Sequence, residues 1–170
     1  MVHGFTDSFY GDCEDKASSF GYIIYTGSDI IVYKASKTTT ILRSSCEAEL
    51  YAFDSCLREI VSLIRMLKDF DRQVNCLPFI HCNNSAAIKI KESDKNIHSV
   101  QHAEIEIAYL RNLERRKIYG MVKIHTNNNC ADILTKSLFI DKYKDMKAKV
   151  YNPDIMYKAE QMRLSLSKLK

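Results

Sequence analysis

The feature that most constrains the fold is a long amphipathic helix that directly follows two predicted strands. Residues 44–70 repeat apolar side chains at helical spacing, and either Ser44 or Ser45 can cap this helix. Before it, residues 18–26 and 29–36 are rich in Tyr, Ile and Val, and TGSD between them supplies a hairpin turn. A hairpin followed by such a helix predicts a sheet with one face covered by the helix.

The other segments extend this pattern to one α/β domain. Residues 2–10 predict a first strand, and further strands are predicted near 78–82 and in YGMVKIHT. Helices are predicted near 84–92 and 100–117, and NNNCADILTKSL is predicted to form a capped helix. The order β-β-β-α-β-α-α-β-α predicts a mixed sheet with helices packed on its faces.

Composition favours a single soluble domain. The chain has 170 residues, of which 46% are hydrophobic and 27% charged, which is ordinary for a globular protein. No stretch approaches the roughly 18 consecutive apolar residues of a membrane span, and no signal peptide is visible at the start. The six cysteines form no CxxC pair, as is typical of a reducing compartment. We therefore expect an intracellular protein, cytoplasmic or nuclear, with no membrane partner.

The positive charge is concentrated at the end of the chain. Residues 141–170 contain 8 of the 25 basic residues and 4 of the 21 acids, so the other 17 basic residues are balanced by 17 acids. This asymmetry suits a basic, helical extension of a domain at 1–140 that meets an anionic partner. A solvated charged helix explains the same pattern equally well.

Four positions are candidates for chemistry because each lies at the end of a predicted element or on a helix face turned to the sheet. They are Asp7, Glu49, Asn83 and Asp132. At about 100° per residue, the apolar face of the long helix lies within roughly 60° of Glu49, whereas Glu47 lies some 160° away. Glu49 is therefore the better candidate of the two glutamates for metal ligation.

Acids that meet at one sheet edge can bind paired Mg²⁺ or Mn²⁺ ions, since these cations prefer oxygen ligands. Each acid taken alone also has a structural explanation. Asp7 can be a turn residue, Glu49 a capping-box acid, and Asp132 an acid at a helix N-terminus. Periodicity alone leaves these alternatives open.

Six segments taken together resemble the ribonuclease H domain of copia-type LTR retrotransposon polyproteins. They are FTDSFYGD, SSFGYIIY, SSCEAELYAF, FIHCNNSAAI, HSVQHAEIEIAYLRNL and NCADILTKSL, in the family's order and at about its spacing. The resemblance implies a ribonuclease H-like fold with a five-stranded mixed sheet, three antiparallel strands followed by two parallel ones, flanked by helices. It also implies cleavage of the RNA strand of RNA–DNA hybrids with two Mg²⁺ ions (or Mn²⁺).

By resemblance, the metal ligands are Asp7, Glu49 and Asp132, and the third catalytic position falls on Asn83. The family has Asp followed by Asn where this chain has Asn83-Asn84. An amide can offer an oxygen to a cation but brings no charge. Losing one unit charge about 4 Å from a cation removes roughly 4 kcal/mol at an effective dielectric constant near 20. The sequence therefore predicts impaired or absent cleavage, either in an engineered chain or in a decayed or repurposed copy.

Binding to a hybrid needs contacts to phosphates and sensitivity to groove shape. The candidate residues are Ser8, Lys34, Lys37, Arg43, Asn84, His102, Arg115, Arg116 and Lys117. The last three also complement the dipole at the end of a helix, which is an equally good structural explanation.

Two other hypotheses stay open. The chain can be a non-catalytic module that keeps the fold to bind nucleic acid or a protein. It can also be a structural domain inside a larger polymerase, since the resemblance implies a reverse transcriptase as a neighbour. Salt-sensitive binding without metal dependence would indicate a nucleic-acid module.

Overall fold

One sheet organises the fold. The computed structural model of the protein describes residues 1–72, 77–83 and 104–152. Its strands are β1 Val2–Phe9, β2 Ser19–Thr26, β3 Asp29–Lys37, β4 Phe79–Cys82 and β5 Gly120–Lys123. They lie in the order β3-β2-β1-β4-β5, with β1 to β3 antiparallel and β4 and β5 parallel to β1. The predicted five-stranded mixed sheet is confirmed.

The described helices are α1 Ser45–Asp69, α2 Glu104–Arg115, α3 Asp132–Thr135 and α4 Ile140–Tyr151, with a 3-10 turn at Thr126–Asn128. The predicted helix at 84–92 lies outside the described residues. The predicted capped helix in NNNCADILTKSL is wrong in its length, since one 3-10 turn and the four-residue α3 take its place. Within residues 1–72, 77–83 and 104–152, none of the helices combines the length and the apolar character that a membrane span requires.

The first residues of α1 show why it begins where it does. Ser44 is the N-cap, and its hydroxyl accepts a hydrogen bond from the backbone N–H of Glu47. The Glu47 carboxylate turns back to accept a bond from the N–H of Arg43. The acid that caps backbone N–H groups at the N-terminus of α1 is therefore Glu47. The capping-box explanation of Glu49 is wrong.

The two faces of β1 contact different helices because side chains alternate along a strand. Gly4 faces α1, where a Cβ would lie 2.7 Å from Cys56 Sγ and 3.2 Å from Ile60 Cδ1. Phe5 points to the opposite face, into a core that also contains Ile23 and Cys130. Asp7 has the parity of Phe5, so its side chain projects on the face away from α1.

The helix α1 runs opposite to β1. Tyr51, in its second turn, packs edge-on against Phe20, which pairs with Ser8 near the end of β1. Cys56 and Ile60 lie further along the helix, beside Gly4. The N-terminal turns of α1 therefore lie at the same end of the sheet as Asp7.

The first part of the basic extension packs onto the domain. Met146 and Val150 of α4 are buried, and the hydroxyl of Tyr25 donates a 3.0 Å hydrogen bond to the carbonyl of Val150. The domain boundary at residue 140 remains a prediction. The helix α4 packs into the same buried cluster as Tyr25 of β2. Residues 153–170 lie outside the described part of the chain.

Candidate functional site

Asp7 and Asn83 meet at the ends of two parallel strands. In the register of β1 and β4, Thr6 pairs with Cys82, so the next residues along each strand are Asp7 and Asn83. The side-chain amide of Asn83 donates to Asp7 Oδ1 over 3.4 Å. The predicted strand end at Asn83 is thus where the sequence placed it, and its amide faces a carboxylate.

A glycine lets the short helix α3 approach this point. Gly21 of β2 is the strand partner of Asp7. A Cβ at Gly21 would lie 2.7 Å from Leu134 Cβ and 3.1 Å from the Lys34 carbonyl oxygen. Any larger residue at this position would therefore push α3 away from the strand that contains Asp7.

A buried amide ties the start of α3 to β1. The side chain of Asn129 donates a 3.0 Å hydrogen bond to the carbonyl of Thr6 and accepts one from the N–H of Ala131. Thr6 precedes Asp7, and Ala131 precedes Asp132. Asn129 is fully buried, and buried polar groups keep their hydrogen bonds. It therefore holds the end of β1, which contains Asp7, close to the start of α3, which contains Asp132.

The ammonium of Lys136 joins the two acids. Lys136 Nζ lies 3.0 Å from Asp7 Oδ2, 3.2 Å from Asp7 Oδ1 and 3.2 Å from Asp132 Oδ1. The hydroxyl of Thr135 also donates to Asp7 Oδ2. The side chains of Asp7 and Asp132 are 3% and 0% exposed, and that of Lys136 is 27% exposed. A largely buried cluster of two carboxylates and one ammonium results.

The protonation equilibria reflect this burial. Burial raises the pKa of Asp132, the nearby Asp7 raises it further, and Lys136 and Lys142 lower it without cancelling the rise. Burial lowers the pKa of Lys136, but the two carboxylates outweigh that effect and the net pKa is raised. Lys136 therefore holds its proton at neutral pH.

The helix α4 supplies a second positive charge. Lys142 Nζ lies 3.5 Å from Asp132 Oδ2 and is 39% exposed. In formal charge, the two lysines balance the two aspartates. One lysine of the basic extension is thus directed at the candidate site, whereas Lys149 pairs with Asp145 on its own helix.

Glu49 approaches from the other side of the sheet. It is half-buried in the second turn of α1, at the Asp7 end. Because α1 covers the face opposite to α3, its side chain would have to reach Asp7 over the end of the sheet. Among the residues that the structure describes, no three His, Cys, Asp or Glu side chains are grouped so that they could hold a metal ion. The role of Glu49 as a ligand remains a prediction.

Several predicted nucleic-acid contacts lie at the same end of the sheet. Ser8 is half-buried next to Asp7, and Lys37 pairs with Ser19 at the neighbouring strand ends. Lys34 lies 5.6 Å above the ring of Phe20, and Lys37 is 3.7 Å from Asp15. Arg43 is exposed just before α1. Their contacts with nucleic acid remain predictions.

The other basic cluster is at the end of α2. Arg115, Arg116 and Lys117 are exposed, and Lys117 has φ +55° where the helix ends. Their position beside the last carbonyls agrees with the dipole explanation, and their nucleic-acid role remains a prediction. Asn84 and His102 lie outside the described residues.

Four residues of the site were not predicted from the sequence: Lys136, Thr135, Gly21 and Asn129. A signal existed for the first two, since they are three and four positions after Asp132 and share its helix face. A signal also existed for Gly21, a glycine inside a strand pattern, which often marks close approach of another segment. Nothing in the sequence indicated that Asn129 bonds to Thr6.

The described part of the chain has a ribonuclease H-like fold. LC11-RNase H1, isolated from compost by a metagenomic approach, superimposes with a TM-score of 0.59 at 14% identity, covering 78% of this chain and 91% of that one. A second structure of LC11-RNase H1, in complex with RNA/DNA hybrid, gives 0.56 at 13% identity over 79% and 93%. The N-terminal RNase H domain of a Mycobacterium tuberculosis protein gives 0.55 at 10% identity over 78% and 94%. These likenesses confirm the predicted fold.

The sequence relatives are retrovirus-related Pol polyproteins of transposons. That of transposon RE2 from Arabidopsis thaliana is 26% identical over 150 residues, which cover 88% of this chain and 10% of the polyprotein. That of transposon TNT 1-94 from Nicotiana tabacum is 24% identical over 145 residues, covering 85% and 11%. The chain thus spans about a tenth of the length of these relatives. No protein-family model matches it. The predicted resemblance to copia-type polyproteins is confirmed.

Proposed function

We propose that this chain is a ribonuclease H-like domain of a transposon polyprotein that binds RNA–DNA hybrids and cleaves them weakly or not at all. The observation that supports this proposal is the contact between Asn83 and Asp7 at the ends of β1 and β4. A carboxylate at position 83 would face the same point with a negative charge. The amide instead donates a hydrogen bond to Asp7.

The donor chemistry of the site fits a hard divalent cation only in part. Asp7 and Asp132 present carboxylate oxygens on either side of Lys136, and such oxygens are preferred ligands of Mg²⁺ and Mn²⁺. Asp7, Asp132 and Glu49 would hold the metal, which when bound supplies activation of water and stabilisation of the leaving oxygen. Asn83 adds an amide oxygen at best and no charge.

The missing charge gives the size of the defect. One unit charge about 4 Å from a cation contributes roughly 4 kcal/mol at an effective dielectric constant near 20, and a divalent cation feels more. The hydrogen bond from Asn83 also keeps an oxygen of Asp7 engaged. Both effects weaken metal binding, so cleavage is the step that we expect to lose.

Hybrid binding is less affected by this defect, because it depends on basic and polar side chains around the site. Ser8 follows Asp7 on β1, and Lys37 lies at the same end of the sheet on β3, two strands away. Lys34 and Arg43 are exposed. Side chains of these kinds contact phosphates without reading sequence. The solved complex of LC11-RNase H1 with RNA/DNA hybrid supports the choice of ligand.

A cleavage assay tests the proposal. A labelled RNA–DNA hybrid is incubated in Mg²⁺ and in Mn²⁺ with the unaltered chain, with Asn83→Asp, and with Asn83→Asp combined with Glu49→Gln. We expect Asn83→Asp to raise kcat/KM by about 100-fold or more, and Glu49→Gln to remove the gain. Asn112→Asp, on the exposed side of α2, adds the same charge elsewhere and should change nothing.

Strong cutting by the unaltered chain would refute the proposed impairment. If neither the unaltered chain nor Asn83→Asp cuts but both bind hybrid in a salt-sensitive, metal-independent way, the chain is a nucleic-acid-binding module. If neither cuts nor binds, the remaining hypothesis is a domain that contacts protein.

A further inference from the structure

The ammonium of Lys136 occupies the point between the two buried acids of the site. Its nitrogen is within 3.2 Å of three carboxylate oxygens, two from Asp7 and one from Asp132. Thr135 and Asn83 donate to Asp7 around it. A single ammonium therefore bridges two acids that come from different parts of the chain, and Lys142 supplies the second positive charge from 3.5 Å away.

This pair of contacts differs from two lysine–aspartate pairs with exposed acids that the structure describes, whereas Lys142 shares the buried acid Asp132 from 3.5 Å away. Lys149 bonds to Asp145 over 2.6 Å with the same spacing of four residues, but Asp145 is 57% exposed. Lys37 and Asp15 are both mostly exposed. Water screens those pairs and leaves them little net energy. The acceptors of Lys136 are buried, so water cannot replace its charge, and another cation is needed to replace it.

The fold gives Lys136 a short tether to this position. It is the C-cap residue of α3, four positions after Asp132, and its ammonium reaches back to donate a 3.2 Å hydrogen bond to Asp132 Oδ1. The close contact of Leu134 with Gly21 and the bonds of Asn129 hold α3 against the sheet. A metal that binds both Asp7 and Asp132 has to displace the ammonium from both.

We propose that Lys136 is a built-in competitor of divalent cations: its ammonium holds Asp7 and Asp132 together in the metal-free protein and leaves both when a divalent cation binds. This inference rests on the proposed function, because it concerns the same site. It adds a second cause of weak metal binding, separate from the missing charge at Asn83. The side chain of Lys136 is 27% exposed, so a path from the site toward solvent exists for the displaced ammonium.

Metal binding without nucleic acid tests this competition. Mn²⁺ is titrated into the unaltered chain, Lys136→Met and Lys149→Gln at neutral pH, and free Mn²⁺ is followed by electron paramagnetic resonance. Methionine keeps the unbranched shape of the side chain, is one atom shorter, and removes the charge. We expect Lys136→Met to bind Mn²⁺ at least about tenfold more tightly than the unaltered chain, since one competing charge is removed. Lys149→Gln breaks the matched pair on α4 and should not change the affinity.

Equal or weaker Mn²⁺ binding by Lys136→Met would overturn the inference. If Lys136→Met does not fold, the unaltered chain decides the matter by NMR of its lysine ε-methylene groups during titration with Mg²⁺. We expect the Lys136 signal to move and the Lys149 signal to stay. A Lys136 signal that does not move throughout the titration would overturn the inference as well.

The two proposals fail in different ways. If Asn83→Asp restores cleavage while Lys136→Met binds Mn²⁺ no more tightly, the competition is wrong and the proposed function stands. If Lys136→Met gains affinity while Asn83→Asp cuts no better than the unaltered chain, the competition stands and the proposed impairment by Asn83 is wrong.

Discussion

Titratable side chains are buried near both ends of β1, but the two ends differ in the charge of those side chains. Near its start, His3 stacks on Tyr25 at 5.1 Å, and His81 stacks on Phe5 at 4.5 Å. Burial, and to a smaller extent the neighbouring His3, lower the pKa of His81 to about 3. At neutral pH this end of the strand therefore holds an uncharged imidazole within an aromatic cluster.

Near its other end, β1 buries charges instead. The carboxyl groups of Asp7 and Asp132 lie on either side of the ammonium of Lys136, and the two acids raise the pKa of that lysine. The side chains of His3 and Asp7 project on the same face of the sheet, since alternate residues of a strand point to the same side. At the first end, burial favours the uncharged form of His81, whereas at the second end an ammonium lies between two carboxyl groups. Only the end with charge can exchange its internal cation for an external one.

The largest expected effect follows from removing the internal cation. Lys136→Met leaves two buried carboxylates without their shared partner, so we expect the free energy of unfolding to fall by about 3 kcal/mol in metal-free buffer. Urea unfolding monitored by circular dichroism measures this change. Lys149→Gln, which breaks an ion pair with an exposed acid, should cost less than about 1 kcal/mol. Equal losses for the two variants would erase the difference between buried and exposed pairs.

The next effect concerns the uncharged end. Because the pKa of His81 is lowered from 6.5 to about 3 in the folded protein, the unfolded chain binds a proton first as the pH falls. The stabilising contribution is complete above about pH 6.5 and is lost as the pH falls toward 3. We expect a loss of about 2 kcal/mol between pH 7.5 and pH 5, measured by urea unfolding at several pH values.

His81→Phe should reduce that pH dependence, since phenylalanine can stack on Phe5 and cannot titrate. Asp132 changes the free energy of unfolding in the opposite direction. Its pKa is raised in the folded state, so the free energy that its burial costs becomes smaller as the pH falls. The difference between the unaltered chain and His81→Phe isolates the histidine. The same slope in both proteins would show that His81 already accepts a proton in the folded state.

A smaller effect separates the two faces of the sheet. Gly21→Ala places a methyl group 2.7 Å from Leu134 Cβ, and Gly4→Ala places one 2.7 Å from Cys56 Sγ. Each overpacks its face and should cost about 1–2 kcal/mol. Only Gly21→Ala displaces α3, so only this variant should shift the NMR signal of the Lys136 ε-methylene group. A shift of equal size in Gly4→Ala would show that the site does not depend on that face.

The smallest expected effect comes from Lys142. It is 39% exposed and 3.5 Å from Asp132, which is long for a hydrogen bond. Lys142→Gln should lower the free energy of unfolding by less than about 0.5 kcal/mol. A loss as large as that of Lys136→Met would make α4 an equal partner in neutralising the site.

The sequence was enough for the sheet and for α1 because those elements are encoded locally. Alternating apolar residues, the turn containing Gly27, and the cap at Ser44 each lie within or beside the element that they define. The short helix α3 was predicted too long. The four residues of α3 are stabilised by contacts with distant strands, such as that of Leu134 with Gly21. Local sequence patterns do not predict such contacts.

The site was predicted in part for the same reason. Asp7, Asn83 and Asp132 come together as the strand ends and the motif spacing suggested. Lys136 was missed as a site residue because a lysine on a short polar segment normally points to solvent. Its position between two acids depends on a contact between residues 7 and 136, which strand and helix periodicity cannot express.

Crystals of the unaltered chain and of Lys136→Met, soaked over the same series of Mn²⁺ concentrations, show directly whether the ammonium and the metal exclude each other. The anomalous signal of manganese is recorded at each concentration. We predict that Lys136 Nζ lies between Asp7 and Asp132 as long as no manganese is bound, that manganese on both carboxylates is always accompanied by Lys136 turned away, and that Lys136→Met shows the manganese peak at a lower concentration. Manganese bound to both carboxylates with Lys136 Nζ still between them, or a peak that appears at the same concentration in both proteins, would refute the competition.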